Sequence, residues 1–159
     1  MVKNVKKIKL TQNKYALVDD EDYEYLNQFK WYYNGRYAAR REPGVNNKMQ
    51  LMHRVILKPG DNLTDHINGN GIDNRKCNLR IATHSENIRN TQKQKGCTSK
   101  YKGVYWNKTD KIWRAKIFFN KKRIHLGSYD KEIDAAKAYN NKAKELYGQF
   151  ARLNIIKDE

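Results

Sequence analysis

One alternation limits what this chain can become. Over residues 112–119, Trp113, Ala115 and Ile117 alternate with Arg114, Lys116 and Phe118, the period of two that belongs to a strand with one buried face. Residues 101–106 and 122–129 read as flanking strands. Turns at 107–111 and 120–121 join the three into an antiparallel meander. On the third strand Ile124 and Leu126 share a face, and Arg123, His125 and Gly127 share the opposite one. Asp130 then reads as the N-cap of a helix over 131–147. Ala135, Tyr139, Ala143 and Leu146 form its apolar stripe, and Gly148 ends it. The helix covers the apolar sheet face with small residues that permit close approach. Trp106, Trp113 and Tyr139 read as core. The other sheet face, rich in Lys, Arg, His, Tyr and Phe, is left bare.

The sequence TQKQKGCTSK over 91–100 holds no large apolar residue and reads as a connector. It divides the chain into a domain at 1–92, a linker at 93–100 and a domain at 101–159. Before it the pattern is mixed. Residues 7–18 read as two short strands with a turn near 12–14. Residues 19–29 read as a helix, with Tyr23, Leu26 and Phe29 at helical spacing. Asp19, Asp20 and Asp22 crowd its first turn. The helix dipole favours acids there, which outweighs a metal-binding reading. Residues 30–41 and 48–57 read as strands, with 36–41 at an edge.

Only 38% of the 159 residues are hydrophobic, so any core is small, and the formal net charge is +16. No run of 18 apolar residues offers a membrane span. The lysines of the first turn of chain (3, 6, 7 and 9) have no apolar stretch behind them, which argues against a secretory signal. Cys77 and Cys97 stand apart without a CxxC pair. That argues against a disulfide scaffold or a cysteine zinc site and suits a reducing, cytosolic setting. Residues 93–159 alone carry 17 basic against 7 acidic residues. With 11 Tyr, 3 Trp and 4 Phe interleaved, the charge points to nucleic acid.

The chemistry concentrates in TDHINGNGIDNRKCNLRIATHSENIRN, residues 64–90. A strand-like segment ends in Asp65-His66. A Gly/Asn-rich loop follows over 68–75. Residues 78–81 read as a returning strand, and 84–90 as a helix with Thr83 at its N-cap. Phosphodiester hydrolysis needs a base for water, a Lewis acid for the phosphate charge, and cations on the non-bridging oxygens. His66 can be the base, because its ordinary pKa lies near working pH. Strand alternation turns Asp65 to the other face unless the strand bends there. Its carboxylate can hold a hard cation, and Asn87 offers a second oxygen from the helix. Arg75 and Arg80 are candidates for phosphate contacts. His84 divides evenly between helix start and phosphate contact. His53 is expected to make a structural hydrogen bond, with Arg54 toward the cleft.

The segment DHINGNGIDNRKCNLR…ATHSENIRN resembles the HNH homing-endonuclease motif of phage and intron-encoded nucleases. The resemblance implies His66 as general base, Asp65 as metal ligand and Asn78 as brace of the loop. It makes Asn87 the second metal ligand, with Asn90 competing one turn on. The family's zinc-binding subset carries CxxC pairs, which are absent here. The preceding KLTQNKYALVDDEDYEYLNQFKWYYNGRYAARRE…MHRVIL is similar to the N-terminal part of such phage proteins. The second half, YKGVYWNKTDKIWRAKI…KRIHLGSYDKEIDAAKAYNNKAKELYGQFARLN, resembles an apetala-two (ethylene-response-factor) DNA-binding domain. In that family the sheet enters the major groove. The contact positions then map to Lys102, Gly103, Tyr105, Asn107, Lys116, Phe118, Arg123, His125 and Ser128. The plant members carry Arg at several places where this chain has Tyr105, Asn107 and Phe118.

The two resemblances imply an α+β chain, with an N-terminal ββα-metal nuclease domain and a C-terminal three-stranded antiparallel sheet packed on one helix. They imply a metal-dependent DNA endonuclease that uses Mg²⁺, with Mn²⁺ as the alternative cofactor, and leaves 5′-phosphate and 3′-hydroxyl ends. The partner is double-stranded DNA and not a membrane. A single site per chain favours a nicking monomer over a homodimer, and the setting is the cytoplasm of a bacterial host, with a phage- or intron-encoded gene. The competing readings are a non-catalytic DNA-binding regulator with a decayed site, and an RNA-binding protein. DNA affinity is expected to fall steeply as salt rises, with a log–log slope of about −0.9 per phosphate neutralised. A salt titration of the Kd checks it, and a flat plot would contradict the electrostatic reading.

Overall fold

The structure, a computed structural model, describes residues 4–42, 44, 47–93 and 96–157. Part of the expected linker, residues 94–95, lies outside the described residues. The chain forms two compact units, Met1–Asn87 and Ile88–Glu159. Among the described residues no helix is long and apolar enough to cross a membrane. Helices and antiparallel sheets make the class α+β.

The first unit opens with a hairpin of β1 (Val5–Lys9) and β2 (Tyr15–Asp19). Gln12 and Asn13 turn it with φ of 59° and 52°. Helix α1 (Asp20–Asn27) starts on Asp20, Glu21 and Asp22, as the dipole favours, and buries Leu26. Trp31 Nε1 donates to the Leu26 carbonyl at 2.8 Å, which ends the helix against the core. That core gathers Ile8, Leu10, Ala16, Val18, Leu26, Trp31, Ala38 and Met52.

Residues 30–41 are not one strand. β3 (Tyr32–Tyr33) and β4 (Ala38–Arg41) are separated by a turn. In it Asn34 Oδ1 accepts the N–H groups of Arg36 and Tyr37 at 3.1 and 2.8 Å. β4 is the central strand of β3-β4-β5, with β5 at Met49–Leu51, so it is no edge. The expected strand over 48–57 stops at Leu51. Met52–Leu57 is helix α2. Its β-branched residues suggest a strand, but helical winding buries Met52 and His53 and sets Val55 and Ile56 against the core. Packing overrides propensity here. Lys58, with φ of 47°, and Pro59 end the helix.

Next come β6 (Leu63–His66), a 3-10 turn (Lys76–Asn78), β7 (Leu79–Ala82) and α3 (His84–Arg89). β6 and β7 pair antiparallel, with Asp65 opposite Arg80 and His66 opposite Leu79. The loop between them is tied to the first hairpin, since Leu17 N donates to Ile72 O and Asn74 N donates to Leu17 O. Thr83 and Glu86 form a capping box at the start of α3. Glu86 Oε2 accepts from Thr83 N at 2.8 Å, and Thr83 Oγ1 accepts from Glu86 N at 3.3 Å.

The second unit holds β8 (Val104–Asn107), β9 (Ile112–Phe119) and β10 (Lys122–Tyr129), in the order β10-β9-β8, and helix α4 (Glu132–Tyr147). Ala115 and Ile117 of β9 and Ala135, Tyr139 and Ala143 of α4 are buried, so the helix lies on the apolar sheet face. The rings of Trp106 and Trp113 meet edge to face at 5.0 Å. The cap differs from expectation. Lys131, not Asp130, is the N-cap and makes no side-chain cap bond. Glu132 Oε1 instead accepts from Ser99 Oγ and Lys100 N, which draws the segment before β8 onto the helix start.

A bulge between His125 and Gly127 also corrects one face. Gly127 pairs with Ala115 on the covered side, and Ser128 pairs with Arg114 on the bare side. After the helix, Asn154 closes the unit. Its side-chain amide accepts from Lys102 N at 2.7 Å and donates to Lys102 O at 3.1 Å, while its backbone pairs with the Asn140 amide.

Gly103 has φ of 78°, and a Cβ there would stand 2.1 Å from the Tyr139 ring. Gly103→Ala is therefore expected to cost about 1–3 kcal/mol by overpacking, with added backbone strain. Urea denaturation of the full chain checks it, and an unchanged midpoint would refute the close approach.

Candidate active site and nucleic-acid interface

Asp65 and His66 end β6, 4% and 5% exposed. Neighbouring strand residues face opposite sides, and each meets a different group. Asp65 meets its cross-strand partner, since Arg80 Nε and an Arg80 terminal nitrogen donate to Asp65 Oδ2 at 2.8 and 2.6 Å. His66 turns toward the loop and the β3–β4 turn. Its Nε2 lies 3.2 Å from Asn74 Oδ1. The Tyr37 ring stacks on it with centroids 5.7 Å apart, and the His53 ring meets it edge-on at 4.9 Å.

Gly71 makes this meeting possible. A Cβ there would stand 2.4 Å from Arg36 O and 2.6 Å from the Tyr37 ring. Only glycine lets the turn carrying Tyr37 press against the loop. Asn74 is fully buried, and its amide nitrogen faces Met52 Sδ at 3.4 Å. That fixes the amide with Oδ1 toward the histidine. With Oδ1 as acceptor, this contact suits the tautomer that carries its proton on Nε2.

Burial holds His66 below its ordinary pKa, and Arg36 adds to this. The Asn74 bond and the charges of Asp65 and Asp73 work the other way. The ring is thus neutral at neutral pH. Burial also drives His53 down, to about 3, helped by His66 and Arg54. Among the described residues its buried Nδ1 has no hydrogen-bond partner, so the expected structural bond is not made there. Arg54 donates to Asn62 O and Gly60 O at 3.0 and 2.7 Å, which braces that loop rather than the cleft.

Asn78 sits at the end of the 3-10 turn. It accepts from Asn68 N at 2.9 Å and donates to Asp73 O at 2.7 Å. Arg75 grips Asp73 through two bonds of 2.7 Å, and this holds the Asp73 carboxyl below the usual carboxylate range. Both arginines read as phosphate contacts are therefore engaged with carboxylates. Asn87 is half-buried in α3 and its N–H donates to Thr83 O. Asn90 is buried and falls in the second unit. His84 is exposed at the helix start. Asn74, Tyr37 and Asp73 escaped the sequence reading. Nothing marks Asn74 among its neighbouring asparagines except burial, which only the fold supplies.

Two carboxylate groups bear on a metal. Asp19, Glu21 and Asp22 place an oxygen each within 4.8 Å of one another. The Lys76 ammonium occupies that cluster, 3.0 Å from Glu21 and 3.2 Å from Asp22, and Lys76 N donates to Asp19. At β6, the buried Asp65 carboxylate beside a neutral imidazole is the donor type that suits a hard divalent cation.

On the second unit, cross-strand register groups the bare-face residues. Tyr105 and Ser128 flank Arg114, His125 flanks Lys116, and Arg123 flanks Phe118. Lys116 Nζ lies 4.6 Å from the Tyr105 ring centre, and the Arg123 guanidinium 5.2 Å from that of Phe118. Three expected contacts have other duties. Asn107 holds the β8–β9 turn through Thr109 N and Asp110 Oδ2. Gly103 accommodates Tyr139. Lys102 Nζ donates to Arg89 O and Thr91 O at 2.7 Å each, and burial lowers its pKa to about 8.

Residues 99–149 match the AP2 domain, the apetala-two type. The chain is 29% identical over 146 residues to an uncharacterised HNH endonuclease of Acanthamoeba polyphaga mimivirus, covering 89% of this chain and 75% of that one. It is 38% identical over 88 residues to Protein 3.8 of Escherichia phage T7, covering 55% of this chain and 72% of that one. No solved structure matches. Fold and matches together define a class in which an HNH-type unit precedes an AP2-type sheet-and-helix domain. The chain belongs to the family of phage T7 Protein 3.8, is similar to an HNH endonuclease, and carries an AP2 domain over residues 99–149.

The two buried imidazoles make stability pH-dependent. The unfolded chain protonates histidine near pH 6.5, while folded His53 does so only at about 3. Between these values the unfolded state binds more protons, so stability falls as pH drops from about 6.5 toward 3. His66 contributes with the same sign. Unfolding titrations at pH 7 and pH 5 are expected to show this loss in the wild type and less of it in His53→Phe. Equal slopes for the two proteins would refute the neutral buried His53.

Proposed function

We propose that the first unit hydrolyses phosphodiester bonds of DNA and that the second holds duplex DNA on its bare sheet face. The observation that supports this most is the buried His66, held below its ordinary pKa by burial, with Nε2 3.2 Å from Asn74 Oδ1. A neutral imidazole can take a proton from water at neutral pH. Tyr37 and His53 restrict the ring's rotation, and the Asn78 brace keeps the loop beneath it in place. Arg80 orients the Asp65 carboxylate and Arg75 that of Asp73. Asp65 and Asn87 would hold a divalent cation, for which Mg²⁺ is the first choice and Mn²⁺ the second. When bound, the ion supplies Lewis-acid stabilisation of the charge on the phosphate. Water attacking phosphorus with the 3′-oxygen leaving gives 5′-phosphate and 3′-hydroxyl ends.

The Asp65–Arg80 pair favours a second reading. A carboxylate already neutralised by arginine is a weaker metal ligand, and a DNA-binding regulator without hydrolysis would keep such a pair. Incubation of supercoiled plasmid with the protein and Mg²⁺ separates the two. Conversion to open circles is expected, abolished by EDTA and slowed about a hundredfold or more by His66→Ala. Intact plasmid in every lane, with salt-sensitive DNA binding retained, would establish the regulator instead.

A further inference from the structure

We propose that Phe118 reads the 5-methyl group of a thymine in the major groove, which makes thymine-containing duplex DNA the ligand of the β8–β9–β10 face. The inference rests on the reading of that face as a DNA-binding surface.

Size and charge both admit the duplex. Three strands about 4.8 Å apart span about 9.6 Å between outer axes, and the major groove of B-form DNA is about 12 Å wide. Arg114, Lys116 and Arg123 supply the positive side. Asp110, at the β8–β9 turn, is engaged with Arg114.

Phe118 stands out on this face. It lies on the central strand and is 53% exposed, although the alternation that exposes it fills its neighbouring positions with cations. Arg123 lies across from it in the strand register, with its guanidinium 5.2 Å from the ring centre. A phenyl ring can neither donate nor accept a conventional hydrogen bond. Pressed on most major-groove edges, it would strip water from base donors and acceptors and leave them unsatisfied. Among the four standard bases, only thymine presents an apolar group there, the 5-methyl. A ring at this point therefore gains by meeting thymine and loses by meeting other edges. Lys116 and Arg123 beside it are placed to take hydrogen-bond acceptors or phosphate oxygens. The specificity follows from one apolar contact set among polar ones.

The experiment uses the full chain. Duplexes bound by the wild type are selected from a random-sequence pool, and each thymine of the selected site is then replaced in turn by deoxyuridine, which lacks only the methyl. Burial of one methyl group predicts a loss of about fourfold in affinity at one thymine. In Phe118→Ala the thymine and deoxyuridine duplexes should bind equally. Circular dichroism checks that the variant is folded, and Phe118→Leu, which keeps an apolar contact, should retain part of the discrimination. Equal binding of both duplexes by the wild type at every thymine would overturn the proposal. So would preference for single strands, where the ring would act as a stacking platform. No binding to any duplex would overturn the DNA-binding reading itself and the methyl contact with it.

Discussion

The buried side chain of Asn78 is the strut on which the HNH unit depends. One amide joins the start of the β6–β7 loop, through Asn68 N, to its end, through Asp73 O. The loop it closes carries Asn74, whose Oδ1 lies 3.2 Å from His66 Nε2. A small core makes this necessary. With 38% of residues hydrophobic, the chain holds its site by side-chain amides and carboxylates. Asn68, Asp73, Asn74 and Asn78 do the positioning that apolar packing does in larger proteins. Buried polar groups are costly unless satisfied, so such a network admits few alternative arrangements.

Electrostatics within the unit follow the same economy. The arginines do not confront solvent alone. Arg75 holds Asp73, Arg80 holds Asp65, and Lys76 sits on the acidic start of α1. The larger share of the excess positive charge falls in the second unit, where the bare sheet face presents Lys116 and Arg123. On the proposed function, chemistry and anchoring occupy different units.

Much of the second unit was legible in its sequence, because strict alternation and a helical stripe are direct images of a two-layer packing. Two details were not. The bulge that moves Gly127 and Ser128 leaves no mark on the alternation, and the Glu132 bonds that replace an Asp130 cap depend on Ser99, far away in the chain. In the first unit the order strand, loop, strand, helix could be read from residues 64–90. The α2 helix could not, because Met52-His53-Arg54-Val55-Ile56-Leu57 has strand-like residues and becomes helical through what it packs against. For the same reason Tyr37 and Asn74 stayed hidden beside His66. Both reach it through tertiary contacts, one allowed by the missing side chain of Gly71. The roles expected of Arg75 and Arg80 rested on charge and that of Lys102 on a family position, and neither reveals which partner a side chain already has.

The Asn154 amide has a consequence for how the second unit meets other chains. It engages both the N–H and the carbonyl of Lys102, as the peptide of an adjacent strand would. A single side chain thereby masks the backbone leading into the outer strand β8. Sheet edges left open invite copies of a protein to join by strand addition. Here the residues after α4 act as a selvedge that finishes the fabric at that border, and a chain cut short before Asn154 would expose the raw edge.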